Sequence, residues 1–260
     1  MAHSVRRLVL GVSKRAGVGH IGSELSVADI VAALYSSVLH IPSPTDPARD
    51  RFVLSKGHAA LALYAALYLR GWITREELTS YCSNGSHLGV HPERGTPGVD
   101  FSTGSLGQGL SVAVGAALAA NITGSPRRVF ALVSDAECNE GAVWEAAMFA
   151  AHRRLDSLTA IIDLNGQQAL GYTADVLDLQ PMGVKWAAFG WDVAEVDGHD
   201  LGALVGTLSA LATGGRPRVV IARTTFGKGV SYMEGQVPWH YLPMSDSQYE
   251  LAVAEVGGRE

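Results

Sequence analysis

Val129-Phe130-Ala131-Leu132-Val133 stops in Ser134-Asp135-Ala136-Glu137, and Leu158-Thr159-Ala160-Ile161-Ile162 stops in Asp163-Leu164-Asn165-Gly166. Between these apolar runs lies a helix-length stretch, Val143 to Arg153. Two strands joined by a helix run parallel, so their carboxyl ends point the same way. Asp135 and Asn165 then meet at the rim where open α/β sheets bind ligands. One anionic and one neutral oxygen donor suit Mg²⁺ or Ca²⁺ holding a phosphate group.

Working outward, the alternation is regular. Strands are predicted over 129–134, 158–164, 192–196 and 218–223, with helices over 142–153, 181–189 and 200–212. That spacing predicts an α/β fold with a doubly wound, mainly parallel sheet flanked by helices, one domain over residues 1–260. Upstream, residues 1–18 read as a helix with a basic face. Ser26 and Asp29 read as the start signal of an apolar helix running to about Val38. Phe52-Val53-Leu54 is a short strand candidate, and an alanine/leucine helix follows to about Leu69. Leu110 to Ala120 reads as a buried helix. Residues 83–109, with seven glycines and two prolines, are too irregular for one element, and a loop that long in a compact domain is usually functional.

Bulk composition narrows the class. Apolar residues make up 47% of 260 and charged residues 17%, which supports a sizeable core. A net charge of −5 argues against nucleic acid or an anionic membrane as main partner. The two cysteines, Cys82 and Cys138, form no disulfide or zinc pattern and fit a reducing cytoplasm. No stretch approaches the ~20 apolar residues of a membrane span.

Five polar clusters fall after strands or in glycine-rich loops: Gly19-His20, Lys56-Gly57-His58, Gly89-Val90-His91-Pro92, Asp135 with Asn165, and Trp239-His240. The histidines are not at metal spacing. They suit hydrogen bonding and proton transfer, with core satisfaction as the plain alternative for each one alone. His3, His40, His87, His152 and His199 read as structural or surface residues. Thr103-Gly104-Ser105-Leu106-Gly107-Gln108-Gly109 precedes an apolar helix and either lets backbone N–H groups approach a ligand or simply packs tightly. It lacks the dinucleotide spacing. Glu140, taken alone, reads as a first-turn carboxylate complementing a helix dipole.

The order and content of these clusters resemble the diphosphate-binding N-terminal domain of transketolase, most closely the split form whose halves are separate chains. The resemblance spans roughly residues 10 to 240. It rests on Gly19-His20-Ile21-Gly22-Ser23, on Asp50-Arg51-Phe52-Val53-Leu54-Ser55-Lys56-Gly57-His58-Ala59, and on His91-Pro92-Glu93. Thr96 to Val99, Thr103 to Ser111, Ser134 to Gly141 and Asp163-Leu164-Asn165 extend it.

The resemblance implies thiamine diphosphate held through Mg²⁺ (or Ca²⁺) by Asp135, Asn165 and the backbone carbonyl of Gln167. It implies that the Ala136 N–H meets the diphosphate, that Glu137 belongs to the same motif, and that Gly104, Ser105 and Leu106 line the aminopyrimidine. His20, His58, His91 and His240 would face the thiazolium carbon and sugar hydroxyls, with His58 and His240 also near the diphosphate. Glu140 would reach across a subunit interface. The implied reaction moves a two-carbon ketol unit from a ketose to an aldehyde, on sugar or sugar-phosphate substrates. The pyrimidine-binding domain is expected on a separate C-terminal subunit, two copies of each chain. Competing readings are a keto acid or other specialised substrate, and a cofactor-free scaffold. Departures stand at Ser134 and Ala136, where the family has glycines, and at Tyr241, where it often has glycine. Ala136 puts a methyl where glycine would permit close approach or a positive φ.

Overall fold

The computed structural model describes residues 1–210 and 214–257. In chain order the strands are β1 Arg51–Leu54, β2 Val129–Ser134, β3 Leu158–Leu164, β4 Gln167–Gln168, β5 Gly171–Tyr172, β6 Asp192–Asp197 and β7 Arg218–Arg223. Five of them form one parallel sheet in the order β1-β2-β3-β7-β6, while β4 and β5 make a small antiparallel hairpin. The helices are α1 Ala2–Ala16, α2 Ile21–Ser26, α3 Ala28–Ala33, α4 Ala60–Leu69, α5 Arg75–Thr79, α6 Gln108–Thr123, α7 Gly141–His152, α8 Thr173–Val176, α9 Met182–Ala188, α10 Leu201–Ser209 and α11 Asp246–Gly257.

Why the strands read as continuous apolar runs is visible in how their side chains divide. Phe130, Leu132, Ile161, Val220 and Ala222 point into one core with Val5, Ile21, Leu25 and Ile30. Val129, Ala131, Val133, Ala160, Ile162 and Ile221 point into a second core with Leu110, Ala113, Val143, Ala147 and Trp186. A parallel sheet covered on both faces has no polar side to alternate with. The fold is doubly wound, as expected.

The register brings the ends of the strands together. Leu54 lies opposite Leu132, Ser134 opposite Asp163, and Leu164 opposite Arg223. The segments after β1, β2, β3 and β7 therefore leave from one edge. No helix among the described residues is long and apolar enough to cross a membrane.

Two helix expectations are corrected. Ser26 caps no helix: α2 already begins at Ile21 after His20 at φ 67°, and α3 starts at Ala28 with Asp29 in its first turn and no side-chain cap. The Ser26 hydroxyl is taken by Ser23 and Asp163 instead, and Asp29 pairs with Arg6 and His199. The apolar helix still reaches Val38, broken between α2 and α3 and ending in a π-helical turn over Leu34–Val38. Asp200 caps α10 through the Ala203 N–H at 2.9 Å, and residues 211 and 212 of the expected helix lie outside the described residues. The Thr74/Glu77 capping box that starts α5, and α11 itself, went unread in the sequence.

Candidate active site

Asp135 follows the last residue of β2 and is only 3% exposed. Its Oδ1 accepts the Ala136 N–H and its Oδ2 accepts the Gly166 N–H, both at 2.8 Å. Burial, and then the neighbouring Asp163, push its pKa up to about 7, against the pull of those two amides. A buried carboxylate in this state gains stability from any positive charge brought close to it.

The neighbouring substitutions are accommodated. Ser134 Oγ accepts the Glu137 N–H at 3.0 Å and steadies the 3₁₀ turn Ala136–Asn139. Ala136 is not among the positive-φ residues, so no left-handed backbone opposes its methyl.

Asn165 sits beside this carboxylate, one residue before the amide that Asp135 holds. Its Nδ2 donates to Asp163 Oδ2 at 2.9 Å, and its Oδ1 accepts the Gln167 N–H at 2.9 Å. Gln167 is buried, with Oε1 unpartnered. Among the described residues no three His, Cys, Asp or Glu side chains form a metal cluster. Asp135 and Asn165 instead bring a carboxylate and an amide oxygen to this edge, and hard divalent cations take such oxygen donors.

Beneath it lies a fully buried ion pair, Lys56 with Asp163, each side chain 0% exposed. Burial works against the Asp163 charge, but the Lys56 ammonium together with hydrogen bonds from Lys56, Thr224 and Ser26 holds the carboxyl below its usual range. Both residues fall inside the sequence motifs, yet the motifs assign neither a role. The readable signal was a lysine directly after an apolar strand.

All four histidines converge. The His20 and His58 ring centroids are 5.5 Å apart, and those of His58 and His240 6.3 Å. His91 packs on Gly104, where an added Cβ would stand 3.1 Å from the ring. Burial first, then neighbouring positive groups including Lys56, lower the pKa of His20, put His58 well below the ordinary value, and bring His240 down to about 4. These three are neutral imidazoles near neutral pH, each with one donor and one acceptor nitrogen. His20 Nδ1 and His240 Nε2 are buried without partners, as atoms awaiting a ligand are. Tyr241 tethers the segment by donating to the Ala169 carbonyl between β4 and β5.

The 103–109 loop lies across this rim. Thr103 Oγ1 donates to the Leu54 carbonyl at 2.6 Å, and the Gly107 N–H donates to Glu137 Oε1 at 2.8 Å. Glu137 is wholly buried, also accepting from Ser55 Oγ at 2.6 Å and from the Ser134 N–H at 3.3 Å. Its carboxylate is thus turned into the protein, whereas Ser105 is exposed. Glu140 is exposed at the N-terminus of α7, and an added Cβ on Gly107 would come within 2.7 Å of its Cβ. His199 is structural: its Nδ1 pairs with Asp29 Oδ2 and its Nε2 accepts the Thr225 N–H, each at 2.8 Å.

Comparison with known proteins agrees with this geometry. The family model described as transketolase, thiamine diphosphate binding domain, matches residues 1–258. A 6-deoxy-6-sulfo-D-fructose transketolase subunit from Clostridium sp. (strain MSTE9) is 42% identical over 98% of this chain and 94% of its own length. One subunit of an apulose-4-phosphate transketolase from Phocaeicola vulgatus is 41% identical, covering 98% and 92%. The crystal structure of Campylobacter jejuni transketolase superposes with a TM-score of 0.92 at 31% identity, over 98% of this chain but 42% of that one. The chain belongs to the transketolase family and carries its thiamine diphosphate-binding domain.

Proposed function

We propose that this chain is the diphosphate-binding subunit of a two-chain transketolase that moves a two-carbon ketol unit from a ketose to an aldehyde. The observation that carries this reading is the buried Asp135 carboxylate bonded to the amide next to Asn165, with four histidines gathered over the same rim. Relatives matched nearly end to end are themselves named as subunits, which supports a separate partner chain. We assign that partner the pyrimidine-binding half, with two copies of each chain in the complex. A cytoplasmic location belongs to the same proposal, in keeping with the unpaired Cys82 and Cys138.

In this reading Asp135, Asn165 and the Gln167 carbonyl hold Mg²⁺ (or Ca²⁺), with the Ala136 N–H beside it. Gly104, Ser105 and Leu106 form the wall for the aminopyrimidine. Glu137 acts behind that wall, fastening the Gly107 amide to β1 and β2. Thiamine diphosphate, when bound, supplies the electron sink for carbon–carbon cleavage. The neutral histidines bind sugar hydroxyls and relay protons, since a neutral imidazole can donate at one nitrogen and accept at the other. Exposed Glu140 meets the partner's carboxylate. Relatives named for 6-deoxy-6-sulfo-D-fructose and for apulose-4-phosphate favour a sugar over a keto acid.

Calorimetric titration of thiamine diphosphate with Mg²⁺ into this chain plus its partner tests the reading. Saturable heat that disappears in Asp135→Ala is expected. Absence of heat in the unaltered complex favours the cofactor-free scaffold instead.

A further inference from the structure

Asp163 gathers donors from four separate parts of the chain. Ser26 Oγ at the end of α2 donates to Oδ2 at 2.7 Å, and Lys56 Nζ after β1 donates to the same oxygen. Asn165 Nδ2 adds a third bond there at 2.9 Å, and Thr224 after β7 donates to Oδ1. Four donors on one carboxylate leave it little freedom to turn. Both members of the Lys56–Asp163 pair are fully buried, so neither charge has water as an alternative partner.

The fixed carboxylate acts on Asn165. An asparagine amide can present either its oxygen or its NH₂ by flipping about its last torsion, at little intrinsic cost. A carboxylate two residues away selects between the two. With Nδ2 on Asp163 the amide gains a charge-assisted hydrogen bond; flipped, it would set oxygen against oxygen. Oδ1 is thereby committed to the opposite side, where it also accepts the Gln167 N–H.

We propose that Asp163, anchored by Lys56, is a positioning residue that orients the Asn165 amide so that its oxygen serves the cation. The inference rests on the metal site proposed above and goes beyond it. Ligand selection at this site depends on a buried ion pair outside the proposed ligand set.

The test is a titration of Mn²⁺ with thiamine diphosphate present, followed by the electron paramagnetic resonance of free Mn²⁺, using the full chain with its partner. Lys56→Met/Asp163→Leu removes both buried charges together and keeps side-chain volume. It is expected to stay folded, with a Tm lowered by the donors left on Thr224 and Asn165, and to bind Mn²⁺ at least tenfold more weakly. Unchanged Mn²⁺ affinity in the folded double variant overturns the proposal. Should that variant not fold, Asn165→Asp decides. A carboxylate is ordinarily the stronger Mn²⁺ ligand, but here it would face Asp163, so at least fivefold weaker binding is expected. Equal or tighter binding overturns the proposal. Asp135→Ala serves as the reference and is expected to abolish Mn²⁺ binding. Retained binding there overturns the metal site itself and this inference with it.

Discussion

Asp135 and His240 respond to the same buried rim in opposite directions. His240 packs on Phe226 with ring centroids 4.5 Å apart, and burial is the main cause of its lowered pKa of about 4. The unfolded chain protonates this imidazole near its ordinary value, so between about pH 6.5 and 4 the unfolded state holds the extra proton. His240's contribution to stability is therefore intact above that window and is lost as the pH falls through it. His240→Phe is expected to flatten this part of the Tm-versus-pH curve, and an unchanged slope would refute the assignment. Asp135 has the reverse sign, its folded pKa lying near 7. Its burial is harmless while protonated, and the penalty grows as the pH rises from about 4 to about 7. Without divalent cation, Asp135→Asn should raise Tm at pH 8 more than at pH 5. The gain is a few kcal/mol at most, since a pKa unit is worth about 1.4 kcal/mol. Equal gains at both pH values would contradict it.

Between elements, Glu137 is the joint. Its carboxylate ties Ser55 after β1, Ser134 at the end of β2 and Gly107 before α6. Removing it leaves buried donors unpaired, at a cost of about 1–3 kcal/mol each. Glu137→Ala should lower the midpoint of denaturant unfolding and weaken cofactor heat together. Full stability in that variant would show that the loop is held by other contacts. Sequence could not single out this role, because a carboxylate between Asp135 and Glu140 reads equally as ligand, cap or solvated charge. Nor could it show that α2 begins at Ile21, straight after His20. The Ser26 hydroxyl that would have capped a later start is drawn to a carboxylate 137 residues away.

At the scale of the molecule, the described structure presents one edge where four strand ends, the 103–109 loop and the histidines meet. If the proposed division between chains is right, this chain alone should show no ketol transfer, and adding a pyrimidine-binding subunit should restore it. Sedimentation of the mixture should show a complex containing two of each. Full activity in the isolated chain would end the two-chain reading.

Local patterning determined the strands β1, β2, β3, β6 and β7, their parallel run, and the arrival of Asp135 and Asn165 at one rim. For the central strands β2, β3 and β7 this is legible because strands covered on both faces are apolar nearly throughout, and polar residues return where they end, whereas β6 at the sheet edge is mixed. Family motifs marked the histidines without any knowledge of the fold. Only the tertiary structure decided which buried groups answer one another. Lys56 meets Asp163 across 107 residues, and Thr224 reaches the same carboxylate across 61. Such pairings follow from how the sheet and helices close on each other, which no local periodicity encodes.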